Sequence, residues 1–193
     1  RSLVRLAQAR CDMALWRPVL LWHITRDEFL LRDFLVNWLF PAFESGVYAI
    51  RTNDVLPFLT TVPSRGGVVE HEWTPSTLRH VAAGLLRMAC DFSLLTGRMA
   101  RTFTAYHLPE EAFLYVAHAI RETAKSGIGV LESPEWRMFL MRRDAVEREL
   151  LHLHQYRKLR YEVAGSLVEL TLPYGSAAEY AESLIHGQLA NAP

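Results

Sequence analysis

The chain has 193 residues, half of them apolar and 22% charged, which excludes wholesale disorder and is enough to bury a core without cross-links. Its 21 basic and 21 acidic residues give a net charge of zero, and Cys11 and Cys90 are its only cysteines. A uniformly basic DNA-coating protein, a disulfide framework and a four-thiolate metal site are thereby excluded, and a reducing, cytoplasmic compartment is expected. The most apolar stretch, 29–43, is interrupted by Arg32, Asp33 and Asn37. A membrane-crossing helix needs roughly 20 mostly apolar residues, so no span is expected. The first residues lack the apolar core of a signal peptide.

Leu3, Leu6, Ala7, Cys11 and Ala14 recur at helical spacing and predict a short helix over 2–15, with Pro18 marking a break. Thr25-Arg-Asp-Glu28 fits a capping box. The helix it opens carries Phe29, Leu30, Phe34, Leu35, Trp38, Leu39 and Phe43 on a broad apolar face and stops at Gly46. Asn53 starts a short helix through Leu59, and 63–72 reads as a loop. Thr74 as cap and Pro75 at the first position open a long helix to about Phe92, with Leu78, Val81, Ala82, Leu85, Ala89 and Phe92 as its buried stripe. Gly97 ends that unit, and the Thr- and aromatic-rich segment 99–107 reads as strand.

The order then repeats. Glu110 to about Lys125 is a helix burying Phe113, Val116, Ala117 and Ile120, and Ser126-Gly-Ile-Gly129 breaks it. Ser133-Pro-Glu135 caps a short helix through Trp136, Phe139 and Leu140. Asp144 caps a third helix with the stripe Val146, Leu150, Leu153 and, at its end, Tyr156. Segments 159–163 and 167–172 flank Ala164-Gly-Ser166 as a β-hairpin, and 177–186 is a last weak helix. The predicted fold is mainly α, with two winged-helix or helix-turn-helix-like units and short hairpin wings. The expected divisions are an N-terminal helix (1–19), a first unit (20–108), a second unit (109–174) and a tail (175–193).

Nineteen of the 21 basic residues are Arg, and 161–193 holds none, so 1–160 carries a net +4. Arg suits forked recognition of phosphate or guanine, although a G·C-rich genome gives the same composition. The first long helix presents Ser76, Thr77, Arg79, His80 and Arg87, and its wing adds Arg98 and Arg101. The second offers Arg148, His152 and Gln155, with Arg142 and Arg143 at its start and Arg157, Lys158 and Arg160 at its end. Segments 76–107 and 137–160 are net +3 and +4, so positive charge coincides with both predicted recognition helices. Glu147 and Glu149 interrupt the second, and the competing reading is a solvated face with internal ion pairs.

Catalysis has little support. There is no nucleophile elbow and no phosphate-binding loop followed by Lys. Glu149-Leu-Leu-His152 has di-iron spacing without a second copy, and His152 and His154 fall on different helix sides, so neither metal nor cofactor is expected.

The segment from Trp16-Arg-Pro-Val-Leu-Leu-Trp-His to Asn37-Trp-Leu-Phe resembles the N-terminal signature of BrxA proteins, small components of bacterial bacteriophage-exclusion (BREX) systems. Asp54-Val-Leu-Pro-Phe-Leu, Trp73-Thr-Pro-Ser-Thr-Leu-Arg-His-Val-Ala, Asp91-Phe-Ser-Leu-Leu-Thr-Gly, Phe113-Leu-Tyr, Glu135-Trp-Arg-Met-Phe-Leu and Ala164-Gly-Ser follow in order. The resemblance implies a helical cytoplasmic protein that binds double-stranded DNA through two helix-turn-helix motifs. It also implies partners: a methyltransferase and other defence proteins. It carries no catalytic signature. A monomer is expected in isolation. The alternative, from another class, is a helical adaptor whose units serve protein contacts, docked through the aromatic helix 25–44.

Overall fold

The computed structural model describes residues 2–8, 11–67, 72–165 and 167–190. The expected loop positions 68–71, Ser166 in the expected turn, and the last three residues lie outside these. The fold is mainly helical with two small antiparallel hairpins. The chain divides into two compact units, one formed by 1–22, 108–136 and 141–193, the other by 23–107 and 137–140.

The 23–107 unit is built around α3 (Phe29–Phe34), a π-helical turn (Leu35–Leu39) and α4 (Phe40–Glu44). Leu31, Phe34, Leu35, Val36, Leu39 and Phe40 are buried along this run. Gly46, at φ +71°, ends it as the sequence implies. Then come α5 (Thr52–Thr60), a 3₁₀ turn (Pro63–Arg65) and α6 (Pro75–Asp91). The cap of α6 is as expected: Thr74 Oγ1 accepts from the Thr77 amide at 3.2 Å, with Pro75 at the first position. Ala82, Leu85, Leu86 and Ala89 are its buried line. Leu78, Val81 and Phe92 are half-buried. After α6, β1 (Leu95–Thr96) pairs with β2 (Thr102–Phe103), and Ile50 bridges Arg101 as a third extended segment.

The other unit has α7 (Glu110–Arg121) at its centre, with Ala112 to His118 and Ile120 all buried. Trp136 stacks on Phe113 with ring centroids 4.6 Å apart and donates its indole N–H to the Val130 carbonyl at 2.7 Å. α8 (Gly127–Leu131) and α9 (Arg143–Gln155) follow, then β3 (Arg160–Ala164) and β4 (Leu167–Thr171) in the register Tyr161–Leu170, Val163–Val168. Gly127 is required by contact: a Cβ there would lie 2.5 Å from the Val168 carbonyl oxygen. α1 (Ser2–Gln8) and α10 (Ala177–Ala190) complete this unit, with α10 packed on α7 and α1.

Several local expectations are overturned. Pro18 does not break the chain. It is buried inside α2 (Met13–Asp27), where the only amide it removes is the one that would bond Ala14, an exposed residue near the start. The helix begins after Asp12, whose carboxylate accepts from the Ala14 amide at 3.1 Å. Thr25 is buried within the same helix and caps nothing; the break falls at Glu28, with φ −97° and ψ 85°. α5 starts at Thr52, not Asn53, because Asp54 reaches back to the Arg51 amide at 2.7 Å. Ser126 does not end a helix but caps α8, accepting from the Gly129 amide. Asp144 lies in the first turn of α9, where it pairs with Arg148; the capping position is Arg142. Tyr156 is exposed and leaves the α9 stripe at Leu153. The strand expected over 99–107 is only Thr102–Phe103, so Met99 lies in the hairpin loop. α10 runs past His186 to Ala190.

Candidate nucleic-acid interface

On α6 the apolar line leaves the other side of the helix free. Ser76, Arg79, His80, Gly84 and Arg87 are exposed at three- and four-residue steps, and Thr77 is half-buried beside the cap. The His80 ring donates from Nδ1 to the Ser76 carbonyl at 2.8 Å, which leaves Nε2 facing away from the helix backbone bond. Arg87 lies 3.9 Å from Asp91, with both side chains well exposed. Arg79 and Arg98 form no ion pair or side-chain hydrogen bond among the described residues. Arg101 is unlike both. It is half-buried, and its Nε and Nη1 are covered without a hydrogen-bond partner, so those atoms are not presented to a ligand.

The corresponding face of α9 carries Arg148, His152 and Gln155 as expected, all exposed, together with Leu151 and Tyr156. The rings of His152 and Tyr156 lie 4.8 Å apart. Here most cations already hold carboxylates. Arg148 pairs with Asp144 at 2.6 Å, Arg143 with Glu132 at 3.3 Å, Arg160 with Glu162 at 2.9 Å, and Lys158 with Glu110. Arg142 is exposed at the cap, and Arg157 is exposed just beyond the helix at φ +59°. The Arg160 guanidinium holds the Glu162 carboxyl below the usual carboxylate range. Glu147 accepts from the Tyr161 hydroxyl at 3.0 Å; burial and that carboxylate push the phenol up to about 12. Such exposed pairs are worth little and exchange readily for phosphate, but they reduce the local positive field.

The two hairpins differ in charge. In β3–β4, Glu162 stands directly opposite Glu169. Between Asp91 and Glu110, the stretch containing β1–β2 has Arg98 and Arg101 and no carboxylate. Ile50, Met99 and Gly97 were not among the expected functional positions. Gly97 at φ +107°, where a Cβ would meet the Ala100 carbonyl at 2.5 Å, marks a tight turn. That turn was legible in Thr96-Gly97 between two short apolar runs.

The BrxA family model matches residues 1–119, more than half of the chain. The chain belongs to the BrxA family. Membership implies a component of a BREX phage-defence system, with other proteins of that system as partners. No match was found among curated proteins or solved structures. In this BrxA chain, no described helix is long and apolar enough to cross a membrane. No group of three or more metal-ligating side chains occurs among the described residues.

Proposed function

We propose that this BrxA chain is a non-catalytic component of the BREX system that binds double-stranded DNA, through winged-helix-like units presenting α6 and α9, and works beside a methyltransferase and other defence proteins in the cytoplasm. The observation that carries this reading is the exposed line Ser76, Arg79, His80, Arg87 on α6. It lies in a unit whose order is helix, bridging segment at Ile50, short helix, long helix, hairpin. That is the element order of a winged helix, in which the long helix enters the major groove.

The test is a duplex titration at two salt concentrations, with Arg79→Ala/Arg87→Ala and Arg142→Ala/Arg143→Ala/Arg148→Ala as variants. Each lost phosphate contact lowers the magnitude of the log-affinity slope against log salt by about 0.9. Absence of binding at low salt by the folded protein would overturn the reading.

A second reading is a helical adaptor without DNA contact. It is favoured by the 108–190 portion, where Arg143, Arg148, Lys158 and Arg160 already hold carboxylates, Glu162 faces Glu169, and Leu151, Tyr156 and Leu167 are exposed. Absence of duplex binding by the folded protein at low salt would support it, whereas retained DNA affinity in both multiple variants would show only that the substituted arginines of α6 and α9 are not the contacts.

A further inference from the structure

Met99 is 89% exposed, the largest exposure among the exposed large apolar side chains of the described residues. It sits in the five-residue connection between β1 and β2, next to exposed Arg98. Solvent exposure of an unbranched apolar side chain has no benefit for the isolated fold. The hairpin that carries it is nonetheless held firmly. Leu95 pairs with Phe103 and Thr96 with Thr102. Ile50 and Arg101 exchange two backbone hydrogen bonds of 2.7 and 2.8 Å. Phe103 packs edge-on to Phe43, and the Thr104 hydroxyl donates to the Ser93 carbonyl at 2.6 Å. The base from which the tip projects is therefore well anchored.

Its charge selects the occupant. From 92 to 109 there is no carboxylate, and among the described residues Arg98 forms no ion pair and the covered Arg101 Nε and Nη1 at the foot of the hairpin have no hydrogen-bond partner. An acidic surface is the complement. A cationic Arg beside an apolar wedge fits the minor groove of a duplex, where narrow A·T-rich stretches concentrate negative potential and a Met or Leu side chain can enter a base step. We propose that the β1–β2 tip is a minor-groove element: Arg98 enters the groove at A·T-rich sequence, and Met99 wedges a base step and bends the duplex. The β3–β4 hairpin, with Glu162 opposite Glu169, does not share this role. The proposal rests on the DNA-binding reading and adds to it a groove, a sequence class and a deformation.

The experiment uses the full chain with two duplexes of equal length, one with an A·T-rich centre and one with a G·C-rich centre. Affinity is measured by anisotropy, and bending by energy transfer between end labels. The wild type should prefer the A·T-rich duplex by roughly tenfold and bend it by about 20° or more. Netropsin, which fills the A·T minor groove, should abolish the preference. Arg98→Ala should lose most of the preference while still binding. Met99→Ala should keep most of the affinity and lose the bend. Both substitutions are at exposed loop positions, and melting curves will verify that they fold. If the wild type binds both duplexes equally without bending, and neither variant changes this, the tip assignment is wrong while the DNA-binding reading stands. If the folded wild type binds no duplex, both fail together.

Discussion

Arg65 donates its Nε to the buried carboxylate of Asp33 at 2.8 Å. The other oxygen of that carboxylate accepts from Asn37 at 2.8 Å. The same guanidinium donates to the Phe58 carbonyl at 2.9 Å and lies 3.9 Å above the Phe58 ring. One side chain thus fastens the end of α5 and the turn after it to α3, the helix that leads into the π-helical turn. Asp33 is only 3% exposed, so removing its partner leaves an uncompensated charge in the core. Arg65→Ala should cost about 3–5 kcal/mol of unfolding free energy in urea titrations. Adding Asp33→Asn, which keeps an acceptor but removes the charge, should recover part of that loss. A single variant losing less than about 1 kcal/mol would show the pair to be dispensable.

Gly84 sits in the exposed line of α6, and a Cβ there would meet nothing within 4 Å. A glycine inside a helix costs roughly 0.5–1 kcal/mol relative to alanine through backbone entropy. Gly84→Ala should therefore stabilise the protein by that amount and raise Tm by roughly 1–4 °C. A scanning melt of the two proteins checks it, and an unchanged or lowered Tm would contradict the reading of this face as open.

Much of this was legible in the sequence because it rests on local chemistry. Thr74-Pro75 marks the start of α6 without reference to anything distant. The alternation around Val168 and Leu170 places β4, and the 3.6-residue spacing of Val146, Leu150 and Leu153 orients α9. The failures have two physical origins: competition between neighbouring local signals, as where Asp54 takes the Arg51 amide and Asp144 pairs with Arg148, and packing against residues remote in the chain. Thr25-Arg-Asp-Glu28 has the composition of a capping box, but Leu15, Val19, Leu21 and Trp22 are buried upstream and the helix continues through Thr25. Pro18 is tolerated because it lies little more than a turn inside its helix. The Ile50–Arg101 bridge joins positions 51 apart and has no local signature. The candidate cations were identifiable by type, but only geometry distinguishes exposed Arg79 and Arg98 from covered Arg101 or from Arg148 held by Asp144.

His118 makes the stability of the α10 attachment depend on pH. Its Nδ1–H donates to the Leu114 carbonyl at 2.6 Å, so Nε2 is bare and accepts from the Tyr174 amide at 3.3 Å. The ring stacks on Tyr180 at 4.9 Å and 7°. Burial lowers the His118 pKa, against upward contributions from the Leu114 hydrogen bond, Glu122 and Glu179. In the unfolded chain the imidazole binds a proton near about 6.5. Below that pH, and down to the lower folded value, the unfolded state holds more protons, so stability falls as pH decreases. The loss is complete once pH passes below the folded value. Protonation also places a hydrogen on Nε2 and breaks the Tyr174 contact. Unfolding titrations at pH 7.5 and 5.5 should show the decline in the wild type and a shallower decline in His118→Asn. His23 is also held low by burial, so a remaining slope is expected. An identical slope in both proteins would remove His118 from the account.

Arg157 separates a structural role from a binding role within one residue. α9 ends with the Arg157 amide donating to the His154 carbonyl and the Lys158 amide to the Leu153 carbonyl, both at 3.0 Å. This cap places Arg157 at φ +59°, a conformation that suits glycine and costs other residues about 1–2 kcal/mol. α6 ends in the same way with Ser93 at φ 64°, its amide donating to Cys90 and that of Leu94 to Ala89. Glycine relieves the strain at either site, offset in part by added freedom in the unfolded chain. Arg157→Gly and Ser93→Gly should therefore both be neutral or slightly stabilising in urea titrations. Only the first removes a cation. If α9 contacts DNA, Arg157→Gly should weaken duplex binding and lower the magnitude of the salt slope by about 0.9, while Ser93→Gly leaves the slope unchanged. Lost affinity in a protein that is no less stable assigns Arg157 to the interface. Unaltered affinity and slope in both variants would leave α9 as scaffold, with α6 and its hairpin as the DNA-contacting part.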